Sequence, residues 1–295
     1  MSRHALLVTL TACALAAVLS MFCVAPAFAR GAPPPKLGVQ LWSVKDDLAK
    51  DYDGTLERLA AAGVKGVEFA GFFGPYENRM PELKAKLDSL GIVVIGGHVK
   101  LSMLADDKIE ATVAQYRQLG AHTLVVGYDE RGHDREGVAE IAKALTHAAE
   151  RLKAYGMQTG YHNHHEEMAD VDGVTYWDLL ARSTPSNVIL QQDVGWTTFA
   201  GRDPVAFVKR YPGRTYSTHY KAKYPKTTQG HKPLIGQDII DWVALYKANA
   251  RVGGTHWLIV EQEEYPDGLS QIEAVETSIA GLRHALAGVR PKPAL

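Results

Sequence analysis

The chain has 295 residues, 46% hydrophobic and 22% charged, the balance of an ordinary globular protein rather than a disordered or collagen-like one. Lys plus Arg number 32 and Asp plus Glu 33, so a formal charge of −1 lacks the basic excess of a nucleic-acid binder or an electrostatic membrane anchor. The 2 cysteines, Cys13 and Cys23, both lie near the N-terminus and supply no disulfide scaffold.

The first segment predicts an address rather than a fold. Arg3 and His4 precede an apolar run that begins at Ala5 and meets no charge before Arg30. It closes on Ala27-Phe28-Ala29, the small-x-small pattern that fits the narrow pockets of signal peptidase. The expectation is a signal peptide over residues 1–29, cleaved after Ala29, and an exported, periplasmic protein without stable membrane association. A retained anchor is the alternative, because the run is long enough to span a bilayer. Both cysteines fall inside the segment, so the cleaved chain would hold none and would rely on its core alone.

A spacer at 30–36 leads into a repeating pattern. Short β-rich runs are predicted as strands at Leu37–Val44, Gly66–Ala70, Val93–His98, Thr123–Gly127, Gln158–His162, Val188–Asp193, Thr215–His219 and Trp257–Glu261. Amphipathic stretches between them predict helices at Tyr52–Ala62, Met80–Leu90, Lys108–Leu119, Arg135–Tyr155, Thr175–Arg182, Pro204–Tyr211, Asp238–Ala250 and Leu269–Leu286. In Arg135–Tyr155 the residues Ile141, Ala144, Leu145, Ala148 and Leu152 fall near helical spacing, and Gly63, Gly91, Gly120 and Gly156 stand where helices stop. Eight alternations in roughly 260 residues point to a (β/α)8 TIM barrel over 37–290, a single domain with a tail at 291–295. A doubly wound sheet is the rival, but the first strand–helix junction carries no Gly-x-Gly-x-x-Gly and no phosphate loop appears.

In such a barrel, chemistry gathers where strands end. The second strand ends at Glu68, the third at His98 and the fifth in Tyr161-His162-Asn163-His164-His165-Glu166-Glu167. Gln192-Asp193-Val194-Gly195-Trp196, His219-Tyr220-Lys221 and Glu261-Gln262-Glu263 end the last three. His162, Asp193, His219 and Glu261 each follow a β run and would converge on one rim. Two imidazoles and two carboxylates suit Mn²⁺, Co²⁺, Zn²⁺, Fe²⁺ or Mg²⁺. Taken singly, a strand-end Asp or Glu serves as readily as a helix N-cap or ion-pair partner. His164 and His165 suit an exposed loop, and Glu263 and Glu264 a solvated rim. Trp42 and Trp196 fit a core, or a wall for a sugar face.

These residues carry a resemblance. Leu37-Gly38-Val39-Gln40-Leu41-Trp42-Ser43, Gly63-Val64-Lys65-Gly66-Val67-Glu68, Gly160-Tyr161-His162-Asn163-His164, Gln192-Asp193-Val194-Gly195-Trp196, Ala200-Gly201-Arg202-Asp203-Pro204, His219-Tyr220-Lys221 and Val260-Glu261 resemble the xylose isomerase-like TIM barrels, in particular the sugar phosphate isomerase/epimerase group. That group's relatives include inosose dehydratases, ketose 3-epimerases and endonuclease IV. Its epimerases hold a divalent metal with Glu, Asp, His and Glu on strands five to eight. The resemblance therefore implicates Asp193, His219 and Glu261 as ligands, with His162 in place of the first Glu. It implies Glu261 as the proton-moving group on one face of the substrate, with His162, His164, Glu166 or Glu68 on the other, and Lys221 as a substrate contact; Trp42, His98, His164 and Trp196 at the strand ends are the further candidate substrate contacts. Endonuclease IV is disfavoured, since Trp196 stands in the neighbourhood of an expected histidine ligand and the charge is near neutral.

The implied chemistry is proton abstraction beside a carbonyl of a sugar or cyclitol, aided by the metal. Epimerisation, isomerisation and elimination from a keto-glycoside or an inosose share that step. Export argues for a substrate without phosphate. A periplasmic sugar-binding protein that has lost catalysis is the alternative class.

Overall fold

The structure, a computed structural model, describes residues 33–228 and 230–289. The expected signal peptide, the first three residues of the spacer and the tail lie outside the described residues. Among the described residues no helix is long and apolar enough to cross a membrane.

Eight parallel strands form the barrel: β1 (Lys36–Gln40), β2 (Gly66–Phe69), β3 (Val93–Val99), β4 (Thr123–Val126), β5 (Gln158–His162), β6 (Ile189–Gln191), β7 (Ser217–Tyr220) and β8 (Trp257–Val260). Their order is β6-β5-β4-β3-β2-β1-β8-β7. The ring is completed by a parallel bridge between Asp193 and His219, where the His219 N–H donates to the Gln192 carbonyl at 2.9 Å. Two residues of the metal-ligating type thus stand at the seam of the barrel.

All eight strands lie where the sequence places them, but the sixth keeps only Ile189–Gln191 of the expected Val188–Asp193 and the first stops at Gln40. Residues Leu41–Val44 form a 3₁₀ turn rather than the end of β1. The Gln40 side chain accepts from the Trp42 N–H at 3.3 Å, so a local cap replaces the next rung of the ladder. Among the described residues ten α-helices pack outside: α1 (Lys45–Lys50), α2 (Tyr52–Ala61), α3 (Met80–Ser89), α4 (Ile109–Gln118), α5 (Arg135–Lys153), α6 (Tyr176–Ser183), α7 (Val194–Phe199), α8 (Pro204–Arg210), α9 (Trp242–Ala248) and α10 (Gln271–Ala285). The short α1 and α7 were not expected; with 6 residues each they are too brief to show a periodic stripe. The helix expected from Asp238 begins later, because Asp238 caps the Ile240 N–H and binds the Trp242 indole, and Asp241 becomes the N-cap. The four stop glycines do take positive φ, from 66° to 79°.

Alternation by two along the strands divides the core. Val39, Val67, Leu124, Leu190 and Leu258 are buried and belong to one large cluster with helix residues such as Leu56, Leu83, Ile141, Leu145 and Ile279. Ile95, Trp257 and Ile259 form a separate small cluster that fills the lower lumen. Gly38 and Gly66 make room for it: a Cβ at Gly66 would stand 2.7 Å from the Trp257 ring, and one at Gly38 2.6 Å from Ile95. On this same inward face, two residues beyond the fillers, come Gln40, Glu68 and Glu261. The fold therefore aims these polar groups at one layer above an apolar floor.

Candidate metal centre and active-site cavity

His162 ends β5, Asp193 follows β6, His219 lies in β7 and Glu261 follows β8. Each offers a ligand atom, and those atoms lie within 4.8 Å of one another. None of the four is more than 4% exposed. His162 Nε2 is 3.7 Å from Asp193 Oδ2, and His219 Nδ1 is 2.6 Å from Glu261 Oε2. Asp193 Oδ1 also accepts from the Trp196 N–H at 2.8 Å, so this residue caps α7 and joins the cluster at once.

A second layer orients the first. Glu68, fully buried, receives His219 Nε2 at 2.7 Å and Gln40 Nε2 at 2.8 Å on Oε2, and Gln191 Nε2 at 2.8 Å on Oε1. His98 Nε2 lies 3.2 Å from the same Oε2 and 2.7 Å from Gln191 Oε1. His98 stacks on His219, ring centroids 5.1 Å apart and planes 7° apart. Gly127 leaves space for it, because a Cβ there would stand 2.6 Å from His98 Nδ1. Asn163 and Glu167 tie down the β5 loop: Asn163 Oδ1 accepts from the Asp193 N–H at 2.9 Å, and Glu167 Oε2 from the His164 N–H at 2.7 Å.

Burial and charge set the protonation states. Burial, then the neighbouring His219, His98 and His164, push His162 well below its ordinary value. Burial and the Lys221 ammonium take His164 down to about 4. Burial alone would lower His219, but Glu261 and Glu68 raise it to about 10. Burial would raise Glu68 and Glu261; the flanking His98 and His219, and Lys221 and His219 respectively, instead hold both below the usual carboxylate range.

A cavity of about 630 Å³ opens beside this cluster. His98, His162, His164 and Glu261 form its polar side, while Trp42, Phe73, Val99, Met103, Tyr116 and Tyr128 supply aromatic and apolar surface. Trp42 and Tyr128 are 44% and 53% exposed, which leaves their faces open to a ligand. Of the residues expected to touch substrate, Trp42, His98 and His164 line the cavity, whereas Trp196 and Lys221 are not among its lining residues. Trp196 is instead enclosed by His165, with ring centroids 5.3 Å apart, and by Lys223, 4.0 Å from its ring centre. Lys221 is buried, and its Nζ meets Asp193 Oδ2 at 2.8 Å, Glu261 Oε2 at 3.0 Å and Glu263 Oε2 at 2.7 Å. Glu263 is therefore a cavity residue bound to Lys221, and not the solvated rim charge expected from sequence. Glu68, expected to move protons, lies beneath His98 and His219 with both oxygens engaged and is not among the residues that line the cavity.

The donor set fits a divalent cation. It combines imidazole nitrogen with carboxylate oxygen and no thiolate, a mixture that first-row dications and Mg²⁺ accept. His162 Nδ1 is buried without a hydrogen-bond partner, an unmet polar group of the kind a ligand would satisfy. Glu68 behind His219 supplies the carboxylate that fixes a ligating imidazole.

Comparison with known proteins agrees with this architecture. Residues 56–285 match the family model described as xylose isomerase-like TIM barrel. The chain belongs to that family. An inosose dehydratase of Lacticaseibacillus casei is 24% identical over 271 residues, covering 76% of this chain and 88% of that protein. Among solved structures, a sugar phosphate isomerase/epimerase from Parabacteroides distasonis superposes with a TM-score of 0.74 at 22% identity, over 88% of this chain and 96% of that one. An L-ribulose 3-epimerase gives 0.62 at 17% identity, over 88% of this chain and 100% of its own.

Proposed function

We propose that this chain is a metal-dependent enzyme that removes the proton beside a carbonyl of an unphosphorylated sugar, keto-glycoside or cyclitol. One observation carries the reading: Glu261 and His162 belong to the metal-binding group and also line the cavity. A carbohydrate seated there meets proton acceptors and bound cation at one place. A divalent ion held by His162, Asp193, His219 and Glu261 would act as a Lewis acid toward substrate oxygens. Glu261, kept ionised by Lys221 and His219, accepts the proton as the α C–H bond breaks and the electron pair moves toward the carbonyl oxygen. His164 is neutral at pH 7 and offers a second imidazole to the same cavity. Trp42 and Tyr128 present apolar faces to a sugar ring or its substituent.

Return of the proton gives epimerisation or isomerisation. A second reading, β-elimination that forms a C=C bond and expels hydroxide from an inosose or the aglycone alkoxide from a keto-glycoside, is favoured by the inosose dehydratase among the relatives. Export through the expected signal peptide agrees with either fate, because it removes the enzyme from cytoplasmic sugar phosphates. The test is incubation with Mn²⁺ and a panel of keto-sugars, 3-keto-glycosides and inososes in D₂O, followed by proton NMR. Deuterium at the α-carbon with a new epimer supports isomerase chemistry, and an unsaturated product supports elimination. A ligand-induced rise in melting temperature with no exchange in any member would identify a binding protein instead.

A further inference from the structure

Lys221 is a buried cation held among three carboxylates. It is 1% exposed, and its ammonium lies 2.8 Å from Asp193 Oδ2, 3.0 Å from Glu261 Oε2 and 2.7 Å from Glu263 Oε2. Its stem passes beneath α7 at Gly195, where a Cβ would stand 2.8 Å from Lys221 Cγ. A buried ammonium must be paired, and here it is paired with three carboxylates. Two of them, Asp193 and Glu261, belong to the metal-binding group, and the third does not. Glu263 is also the most accessible of the three, its side chain 23% exposed against 0% and 5%.

We propose that Lys221 is an internal counter-ion that competes with the divalent cation for Asp193 and Glu261, and that Glu263 retains the ammonium when the cation binds. The inference rests on the metal reading given above. The ammonium neutralises two carboxylates that would otherwise repel each other in a buried site. A divalent ion held by Asp193 and Glu261 would place like charge beside the ammonium, which could give up both contacts and keep the one to Glu263. Lys221 therefore lowers metal affinity while it holds the Asp193 and Glu261 carboxylates together. In this role Lys221 acts through the two carboxylates it holds, as a positioning residue.

Calorimetric titration of the full protein with Mn²⁺ tests this, using wild type, Lys221→Met, Glu263→Gln and the double variant. Lys221→Met is expected to bind Mn²⁺ at least about tenfold more tightly, as loss of a nearby unit charge implies. Glu263→Gln is expected to weaken binding about threefold or more, and this loss should shrink in the Lys221→Met background. Mn²⁺ binding by Lys221→Met but not by wild type would also support the proposal. Equal or weaker binding by a folded Lys221→Met, or an equal effect of Glu263→Gln in both backgrounds, overturns it while leaving the metal site standing. Should Lys221→Met fail to fold, Glu263→Gln alone decides, and unchanged affinity there overturns the proposal. Absence of Mn²⁺ binding in wild type and every variant removes the metal reading and this inference with it.

Discussion

Glu68 and His219 meet across the barrel, from β2 to β7, through a hydrogen bond of 2.7 Å between Oε2 and Nε2. The other ring nitrogen of His219 faces Glu261 at 2.6 Å, so the imidazole is fixed at both ends. Glu68→Gln keeps the shape but removes the charge that helps orient this ring. Metal affinity should fall about 10- to 100-fold, as for other carboxylates behind ligating histidines. Mn²⁺ titration checks it, and wild-type affinity would show that Glu68 does not position the ligand.

The four-residue group makes a sharper prediction. Asp193→Ala and His219→Ala each delete a donor on the seam between β6 and β7. Both purified variants should lose stoichiometric metal by elemental analysis and lose solvent deuterium exchange into substrate. Asp193→Ala should also destabilise the fold by about 1 kcal/mol, since the α7 N-cap disappears with the carboxylate. Metal content equal to wild type in both variants would remove the site.

The legibility of this protein in its sequence divides by length scale. The eight strands and the longer helices were readable because period two and period 3.6 persist over enough residues to be seen, as in α5 with Ile141, Leu145, Ala148 and Leu152 on its buried face. His162, Asp193, His219 and Glu261 were readable because each ends a β run, and strand ends converge in a barrel. What joins residues far apart in sequence was not readable. Gln191 binds Glu68 across 123 positions, and nothing local marks that partnership. Glu263 looked like surface charge because its partner, Lys221, lies 42 residues away. Asn163 and Glu167 stood inside a noticed motif, yet their roles as loop ties depend on the Asp193 and His164 backbone positions.

Gly127 is a further unforeseen determinant, and it can be tested alone. It follows β4, lines the cavity and faces His98. A Cβ there would lie 2.6 Å from His98 Nδ1 and 2.8 Å from Cγ, closer than atoms can approach. In Gly127→Ala the ring must move, and with it the stacking on His219 and the contact to Glu68. Turnover should fall more than substrate binding, with a stability loss of about 1–3 kcal/mol from overpacking. Unchanged turnover would mean that His98 tolerates displacement and is not required in this pose.

Acid sensitivity should be traceable to Asp178, which lies away from the cavity. Its carboxylate completes the capping box of α6 with Thr175 and is bound by Arg210 Nη1 and the Tyr211 hydroxyl. Burial would raise its pKa, but Tyr211, Arg210 and Thr175 outweigh it and hold it below the ordinary 3.8. A carboxyl depressed in the folded state stabilises the fold above its unfolded pKa, and that contribution is lost as pH falls through the folded value. Asp178→Asn keeps the side-chain shape and removes the titration. At pH 7 the variant should unfold about 1–3 kcal/mol more easily, the range for a buried hydrogen bond to charge. The gap from wild type should stay constant down to about pH 5 and narrow below about pH 4, as wild-type Asp178 gains its own proton. Urea unfolding of both proteins across that range measures the gap. A gap that persists unchanged at the lowest pH would assign the loss to packing rather than to the carboxylate charge.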